Sequence, residues 1–272
     1  MFIAEIGINH NGSLDIAKEL IKIAKDCGVD VVKFQKRNPD ICVPESQKNI
    51  IKDTVFGEMR YIDYKYKIEF GKDEYDEIDK YCKELGILWT SSVWDIDSLN
   101  FINNYNVPFI KLASACITDY KLINELQKLK TPVIISTGMS TEEEIDNAIN
   151  LLKNNLIGIL HCNSSYPSKD EEIDLNYMSI LKTKYPKYQI GYSGHEKGYL
   201  PTIIAKTLGA DILERHITLD KNMKGSDHKA SLNPKELKQL MIYIKSIPNI
   251  MGGFKKNIYS SEIEMRNKLR KS

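Results

Sequence analysis

The stretch "FIAEIGINHNGS" (residues 2–13) carries an apolar run into a polar turn, and that turn, "NHNGS", holds a single glycine. An open, doubly wound sheet gripping a dinucleotide would place a Gly-x-Gly-x-x-Gly turn there, where backbone must approach a pyrophosphate. Outward from this point one unit repeats. Apolar runs at "FIAEIGIN" (2–9), "VDVVKFQ" (29–35), "ILWTSSV" (87–93), "FIKLAS" (109–114), "PVIIST" (132–137), "IGILHCN" (157–163), "QIGYSGH" (189–195) and "ILERHIT" (212–218) alternate with longer amphipathic segments. In "LDIAKELIKIAKDCG", Leu14, Ala17, Leu20, Ile21 and Ala24 fall at helical spacing. "STEEEIDNAINLLKNN" opens on a capping Ser140 or Thr141 with acidic residues behind it, and Gly28, Gly86 and Gly209 stand where helices should stop. Eight strands, each followed by a helix, predict a single-domain (β/α)8 barrel over residues 1–250.

Two regions depart from this rhythm. The connection over 37–72 contains Pro39, Pro44, Gly57 and the tyrosine-rich "MRYIDYKYKIEFG", and it predicts an ordered flap near the barrel mouth. The stretch 251–272, mostly "FKKNIYSSEIEMRNKLRKS", is charged with little core pattern and reads as a linker or frayed end.

Composition narrows the function classes. The chain has 272 residues, 42% of them hydrophobic, and a formal net charge of +1, with Lys/Arg alternating with Asp/Glu; no nucleic-acid surface is expected. No apolar stretch approaches the ~18 residues of a membrane span, and the N-terminus lacks a basic segment ahead of a long apolar run. The five cysteines are odd in number and form no Cys-x-x-Cys pair, as expected of reduced thiols in a cytoplasmic protein.

In barrels of this kind the active site lies at the C-terminal ends of the strands. His10, His161, His195, His216 and His228 all fall at or just beyond those ends. Side chains alternate faces along a strand, so Glu214 and His216 share a face that Arg215 does not. By the same rule Lys33 pairs with Gln35, Ser193 with His195, and Glu5 with Gly7 and Asn9. Turned inward, these faces predict a mouth lined by Glu5, Asn9, Lys33, Gln35, Ser193, His195, Glu214 and His216, with Lys111, Ser114, Ser136 and Ser164 at the rim.

The residue types carry a chemistry. Imidazoles from the last two strands, His195 and His216, can share one divalent cation and leave water positions open; imidazole suits Zn, Mn or Fe, and extra waters favour an octahedral ion such as Mn. Lys33 and Lys111 among hydroxyls suit a phosphate plus a carboxylate. Glu5 and Glu214 are candidate acid/base groups. A Schiff-base aldolase using Lys33 or Lys111, and a barrel that only binds an anion, are the competing readings. His10 and His161 are expected to be structural, with His228 left open. "GYSGHE" does not satisfy the Gly-x-Ser-x-Gly elbow of a serine hydrolase, and no P-loop occurs.

Seven segments resemble the sialic acid (N-acetylneuraminate) synthase family: "AEIGINHNGS" (4–13), "VKFQ" (32–35), "VPFIKLAS" (107–114), "ISTGMS" (135–140), "LHCNSSYP" (160–167), "IGYSGHE" (190–196) and "LERHITLDKNMKGSDHKASL" (213–232). The resemblance implies a (β/α)8 barrel that condenses phosphoenolpyruvate with an open-chain N-acyl amino sugar, N-acetylmannosamine first, to a 3-deoxy-2-keto sugar acid and phosphate. Precursors of legionaminic or pseudaminic acid, or of a spore-coat polysaccharide, are the alternative acceptors. It implies a divalent metal, Mn2+ with Mg2+ or Co2+ as alternatives, on His195 and His216. Lys33, Ser92, Lys111, Ser114, Ser136, Ser164 and Ser193 would hold phosphoenolpyruvate. Glu5, Gln35, Tyr166, Glu214 and Asp227 would contact the sugar or assist proton movement. The family's barrel is usually followed by a small antifreeze-like (SAF) domain in a domain-swapped homodimer. "LRKS" (269–272) stands where that domain would begin, so it is expected to be removed, on a separate polypeptide, or dispensable.

Overall fold

The computed structural model describes residues 1–270. Eight parallel strands close into one barrel: β1 Phe2–Gly7, β2 Val31–Lys36, β3 Leu88–Val93, β4 Ile110–Leu112, β5 Val133–Ser136, β6 Leu156–Cys162, β7 Gln189–Gly194 and β8 Ile212–His216. Neighbours in sequence are neighbours in the barrel, and β8 closes against β1 with Phe2 opposite Leu213 and Glu5 opposite His216. The (β/α)8 expectation is therefore met.

The helices arise where the periodicity puts them. Leu14–Cys27 starts on the Ser13 cap and ends at left-handed Gly28, and it buries Ala17, Leu20, Ile21 and Ala24 against the barrel. Of the two candidate caps at 140–141 it is Thr141 that caps Glu142–Leu152, in a reciprocal capping box with Glu144. The main core lies between the barrel's outer face and this ring of helices, while a second, smaller cluster fills the barrel's inside.

Closure between β7 and β8 depends on a missing side chain. A Cβ on Gly191 would lie 2.1 Å from the Ile212 carbonyl oxygen and 2.6 Å from Leu160 Cδ2. Backbone cannot yield as a flexible side chain does. Gly191→Ala is expected to cost at least the upper part of the roughly 1–3 kcal/mol typical of overpacking. A urea denaturation midpoint equal to that of the unsubstituted chain would contradict this packing.

The 37–72 connection is built of short regular elements. It contains the short helices Pro39–Cys42 and Glu45–Lys48, an antiparallel hairpin of Ile51–Thr54 with Gly57–Arg60, and the helix Tyr61–Ile68. Ile62, Tyr64 and Ile68 are buried, Tyr64 and Ile68 packing on Ile8, and the hairpin is tied to the loop after β8 by a 2.8 Å ion pair from Lys224 to Asp53. The stretch 251–272 was expected to be a linker or frayed end, and its last two residues lie outside the described ones. After Pro234–Met251, a further helix runs from Ser260 to Leu269 with none of its residues buried. At its start the Tyr259 amide donates to Glu262 Oε2 at 3.0 Å, a local support that a search for core periodicity passes over. Among the described residues, no helix is long and apolar enough to cross a membrane.

Candidate active site

The site follows from the two-residue period of a strand. Ile3, Val31, Phe109, Ile134, Leu160 and Ile212 meet inside the barrel as a closed apolar floor. Two positions further toward the C-terminal ends, the same strand faces carry Glu5, Lys33, Lys111, Ser136, Cys162 and Glu214. Register then sets Glu5 opposite both Lys33 and His216, Ser193 opposite both Glu214 and Cys162, and Ser92 opposite both Gln35 and Lys111. The result is a polar layer on an apolar floor.

Above the floor opens a cavity of about 130 Å³. Of the residues predicted from sequence, Glu5, Lys33, Gln35, Ser92, Lys111, Ser114, Ser136, Ser164, Tyr166, Ser193, His195, Glu214 and His216 all line it. The Lys33 ammonium lies 2.7 Å from Glu5 Oε2 and 3.5 Å from Glu214 Oε1, and the Lys111 ammonium lies 3.7 Å from Glu214 Oε2. Lys111 donates to Ser136 Oγ at 2.5 Å, Ser193 to Glu214 at 3.2 Å, and Gln35 to Glu5 at 2.9 Å. Opposite this network the Gly138 amide donates to Ser114 Oγ at 3.0 Å. A Cβ on Gly138 would lie 2.2 Å from Ser164 Oγ and 3.0 Å from Ser114 Oγ, so that wall is built of hydroxyls in close approach to backbone.

The two carboxyls titrate apart. Burial would raise Glu214, but Lys111 and Lys33 overcome it and hold the group well below the usual carboxylate range. Burial also raises Glu5, and there the nearby Glu214 charge adds to the effect, so that Lys33 leaves it pushed up to about 7. Lys33 serves two carboxylates, and Glu214, which has a second lysine, keeps the charge.

This asymmetry has a stability consequence. Folded Glu5 binds its proton more tightly than unfolded Glu5, so its contribution is present below pH 4.5 and is lost as pH rises to about 7. Glu5→Gln is expected to flatten the decline in melting temperature between about pH 5 and pH 8, with a gain of up to ~3 kcal/mol at the upper end. An unaltered pH profile would contradict the assignment.

The two mouth histidines sit side by side. Their ring centroids are 5.4 Å apart, with the Tyr166 ring tilted over His195 at 4.0 Å. His195 Nδ1 lies 2.6 Å from the Asn163 carbonyl, so Nδ1–H donates there and Nε2 keeps its lone pair. Burial pushes His216 down to about 3, which leaves it neutral; its Nδ1 is buried without a hydrogen-bond partner, 3.7 Å from Asp227 Oδ2. Two adjacent rings, one held through Nδ1 by a backbone carbonyl and one with an orphaned nitrogen, form a donor set that fits a divalent cation. Among the described residues no group of three or more His, Cys, Asp or Glu gathers as a cage. A cation here would therefore complete its shell with water or substrate oxygens, as ions of the Mn2+ and Mg2+ kind readily do.

One further expectation is corrected. Asn9 leaves the mouth: its amide donates to the Ile217 carbonyl and to Ser231 Oγ, each at 2.8 Å. Face alternation fails for it because the β1–β2 register shifts after Glu5 and Gly7 turns at φ 55°. Asp227 does not line the mouth cavity but a neighbouring one, from which its carboxylate reaches toward His216. His10 stacks on Phe70 at 3.9 Å and accepts from Gly12 N, and His161 Nε2 donates to the Ile173 carbonyl at 2.6 Å. His228, left open before, is buried with its Nδ1 2.7 Å from Thr218 Oγ1 and is structural too. Arg215, on the opposite face of β8, is fully buried against Glu196 at 2.5 Å, Thr202 Oγ1 at 2.8 Å and the carbonyls of Glu196 and Gly198 at 2.9 Å.

Sequence reasoning missed Trp94, Met139 and Cys162 in the lining, and Arg37 and Lys65 in the neighbouring cavity. Arg37 and Cys162 were within reach of the alternation rule, as continuations of 33–35–37 and 160–162. Trp94, Met139 and Lys65 lie on loops or on the flap helix, where that period carries no signal.

Comparison with known proteins places these features in context. Residues 20–256 match the model of the NeuB family. The chain is 37% identical over 274 residues to human N-acetylneuraminate-9-phosphate synthase, covering 99% of this chain and 76% of that protein. It is 38% identical over 280 residues to N,N'-diacetyllegionaminic acid synthase of Campylobacter jejuni, covering 100% of this chain and 83% of that one. A crystal structure of N-acetylneuraminic acid (sialic acid) synthetase from Leptospira borgpetersenii, in complex with citrate, superposes with a TM-score of 0.85 at 32% identity, covering 100% of this chain and 92% of the other.

Proposed function

This chain belongs to the NeuB family, and from that premise we propose that it joins phosphoenolpyruvate to the aldehyde of an open-chain N-acyl amino sugar. The products are a 3-deoxy-2-keto sugar acid of the sialic acid type and inorganic phosphate. The observation that carries this reading is the meeting, in one cavity, of a lysine-and-serine cradle with two imidazoles from adjacent strands.

Each group has a task in that reaction. Lys111, Ser136, Ser114 and Ser164 hold the donor's phosphate, with Lys33 and Ser193 toward its carboxylate; point charges balance the anion and hydroxyls orient it. Ser92 donates to the Phe34 carbonyl and accepts from Trp94, which fixes the wall behind Gln35. Donor C3 attacks the aldehyde carbon, water adds at C2, and the tetrahedral carbon then loses phosphate by C–O cleavage. Glu5, able to hold a proton near neutral pH, is the group suited to pass one to the developing alkoxide or take one from the water. Glu214 stays ionised and holds both lysines in place. We assign His195 and His216 as the ligands of a divalent cation, most simply Mn2+, which when bound polarises the aldehyde oxygen. Tyr166 covers the His195 ring and narrows the mouth over the acceptor.

The relatives' names differ in product, an N-acetylneuraminate 9-phosphate in one and a diacetyllegionaminic acid in the other, and both proteins are longer than this chain. Incubation with Mn2+, phosphoenolpyruvate and N-acetylmannosamine or its acyl relatives is expected to release phosphate and form a 2-keto acid, and a chelator is expected to stop both. Background phosphate release with every N-acyl hexosamine, phosphorylated or not, and with an SAF domain supplied, would overturn the reading.

A further inference from the structure

A guanidinium only donates hydrogen bonds, so it dictates which end of a neighbouring amide must face it. Beside the barrel mouth Arg37 does this to Gln35. Its guanidinium donates to Gln35 Oε1, which leaves Gln35 Nε2 to donate to Glu5 Oε1 at 2.9 Å. The other Glu5 oxygen lies 2.7 Å from the Lys33 ammonium. Both carboxyl oxygens are thus held, one by a charge and one by an amide whose orientation Arg37 sets. With that amide reversed, a carbonyl oxygen would face Glu5 Oε1, and an ionised carboxylate has no proton to offer it. The backbone leaves room for the contact. Gly7 turns at φ 55°, and a Cβ there would lie 3.1 Å from both Gln35 Nε2 and Glu5 Oε1.

Arg37 itself stands outside the mouth, in the wall of a second cavity of about 290 Å³ beneath the flap. Three contacts keep it in place. Its guanidinium lies over Trp94, 3.9 Å from the ring centroid, and the Trp94 indole in turn donates to Ser92 Oγ at 3.3 Å. Its backbone amide donates to Glu69 at 3.0 Å. Glu69 and Asp227 line the same cavity and supply opposite charge, so the guanidinium needs no further anion. Neither forms an ion pair with it: Glu69 is paired with Lys36 at 3.0 Å, and Asp227 accepts from Ser226. Among the described residues, the Gln35 carbonyl oxygen is the side-chain acceptor that Arg37 bonds.

We propose that Arg37, which does not reach the mouth, is a positioning residue for the reaction: it locks the Gln35 amide so that Glu5 always meets an N–H and stays beside Lys33. The inference rests on the function proposed above for the role of Glu5.

A double-mutant cycle on the full chain tests it. Phosphate release with Mn2+, phosphoenolpyruvate and N-acetylmannosamine is measured for Arg37→Met, Gln35→Ala and the double variant. Arg37→Met is expected to lower kcat roughly 10–100-fold, the range of one hydrogen bond to a charged group. In the Gln35→Ala background the same substitution is expected to change kcat by less than about twofold, because the amide through which Arg37 acts is gone. A merely structural role would multiply the two losses. Arg37→Lys, which keeps the charge and still only donates, serves in the same cycle if a circular-dichroism melt shows Arg37→Met unfolded. Urea midpoints of the four chains read the coupling without turnover, and the two losses are expected not to add. Multiplied losses in kcat, or an unchanged kcat in Arg37→Met, would overturn the positioning role and leave the synthase reading standing. No turnover by the unsubstituted chain, with non-additive midpoints, would retain the hold of Arg37 on Gln35 and overturn the synthase reading instead. Additive midpoints without turnover would overturn both.

Discussion

His216→Ala is expected to lower the rate of phosphate release by at least about 10³-fold and to leave the melting temperature unchanged or slightly raised. The first half follows from the assignment of the ring as a cation ligand. Lewis-acid polarisation supplies several kcal/mol to a transition state, and each 1.36 kcal/mol is about tenfold in rate. The second half follows from the ring's surroundings: His216 Nδ1 is buried without a hydrogen-bond partner, so truncation breaks no bond to that atom and removes an orphaned polar group. Activity and stability thus separate at this residue, and calorimetry with Mn2+ should show weakened binding in the same variant. Unchanged turnover would remove His216 from the proposed centre, and a collapse of the fold would mean that the ring is structural.

Arg215→Met is expected to produce the reverse pattern, a loss of stability as the primary effect. Arg215 and Glu196 have no exposed surface and face each other at 2.5 Å, and Tyr192 and Thr202 supply further hydrogen bonds to the glutamate. Removing one member leaves an uncompensated buried charge, which costs about 3–5 kcal/mol. The loss reads as a lower denaturant midpoint. Adding Glu196→Gln should recover part of it, because the stranded carboxylate is then gone. The pair also joins β8 to the loop that carries His195, one residue before Glu196, so turnover in the folded fraction should fall as well. A loss under ~1 kcal/mol would show that the neighbouring backbone already satisfies Glu196.

These two residues adjoin in "LERHIT", and their contrast shows what the sequence reveals and where it stops. Period-two alternation separates Glu214 and His216 from Arg215, and the same rule places Lys33, Gln35, Ser193 and His195 in the mouth, because the residues concerned lie on regular parallel strands or just beyond their ends. The rule breaks at Gly7, where the backbone turns left-handed and sends Asn9 toward Ser231. It is silent in the flap, whose hairpin and helix bring Lys65 beside the barrel through contacts distant in sequence, such as Tyr64 on Ile8. Clustering of histidines at strand ends was informative but not selective: two rings face the cavity, while His10, His161 and His228 serve turns and loops. Asp227 was singled out by family resemblance alone, and only the fold shows it between the mouth and the second cavity.

The central claim is that a cation on His195 and His216 and an enolpyruvyl phosphate on the Lys111–Ser136 side occupy one cavity together. Anomalous diffraction from crystals grown with Mn2+ and phosphoenolpyruvate tests it most directly. The expected map shows a single manganese peak bonded to one nitrogen of each ring, with the phosphate among Lys111, Ser114, Ser136 and Ser164. Manganese bound elsewhere, or the donor's phosphate lodged outside the serine and lysine cradle, would contradict it.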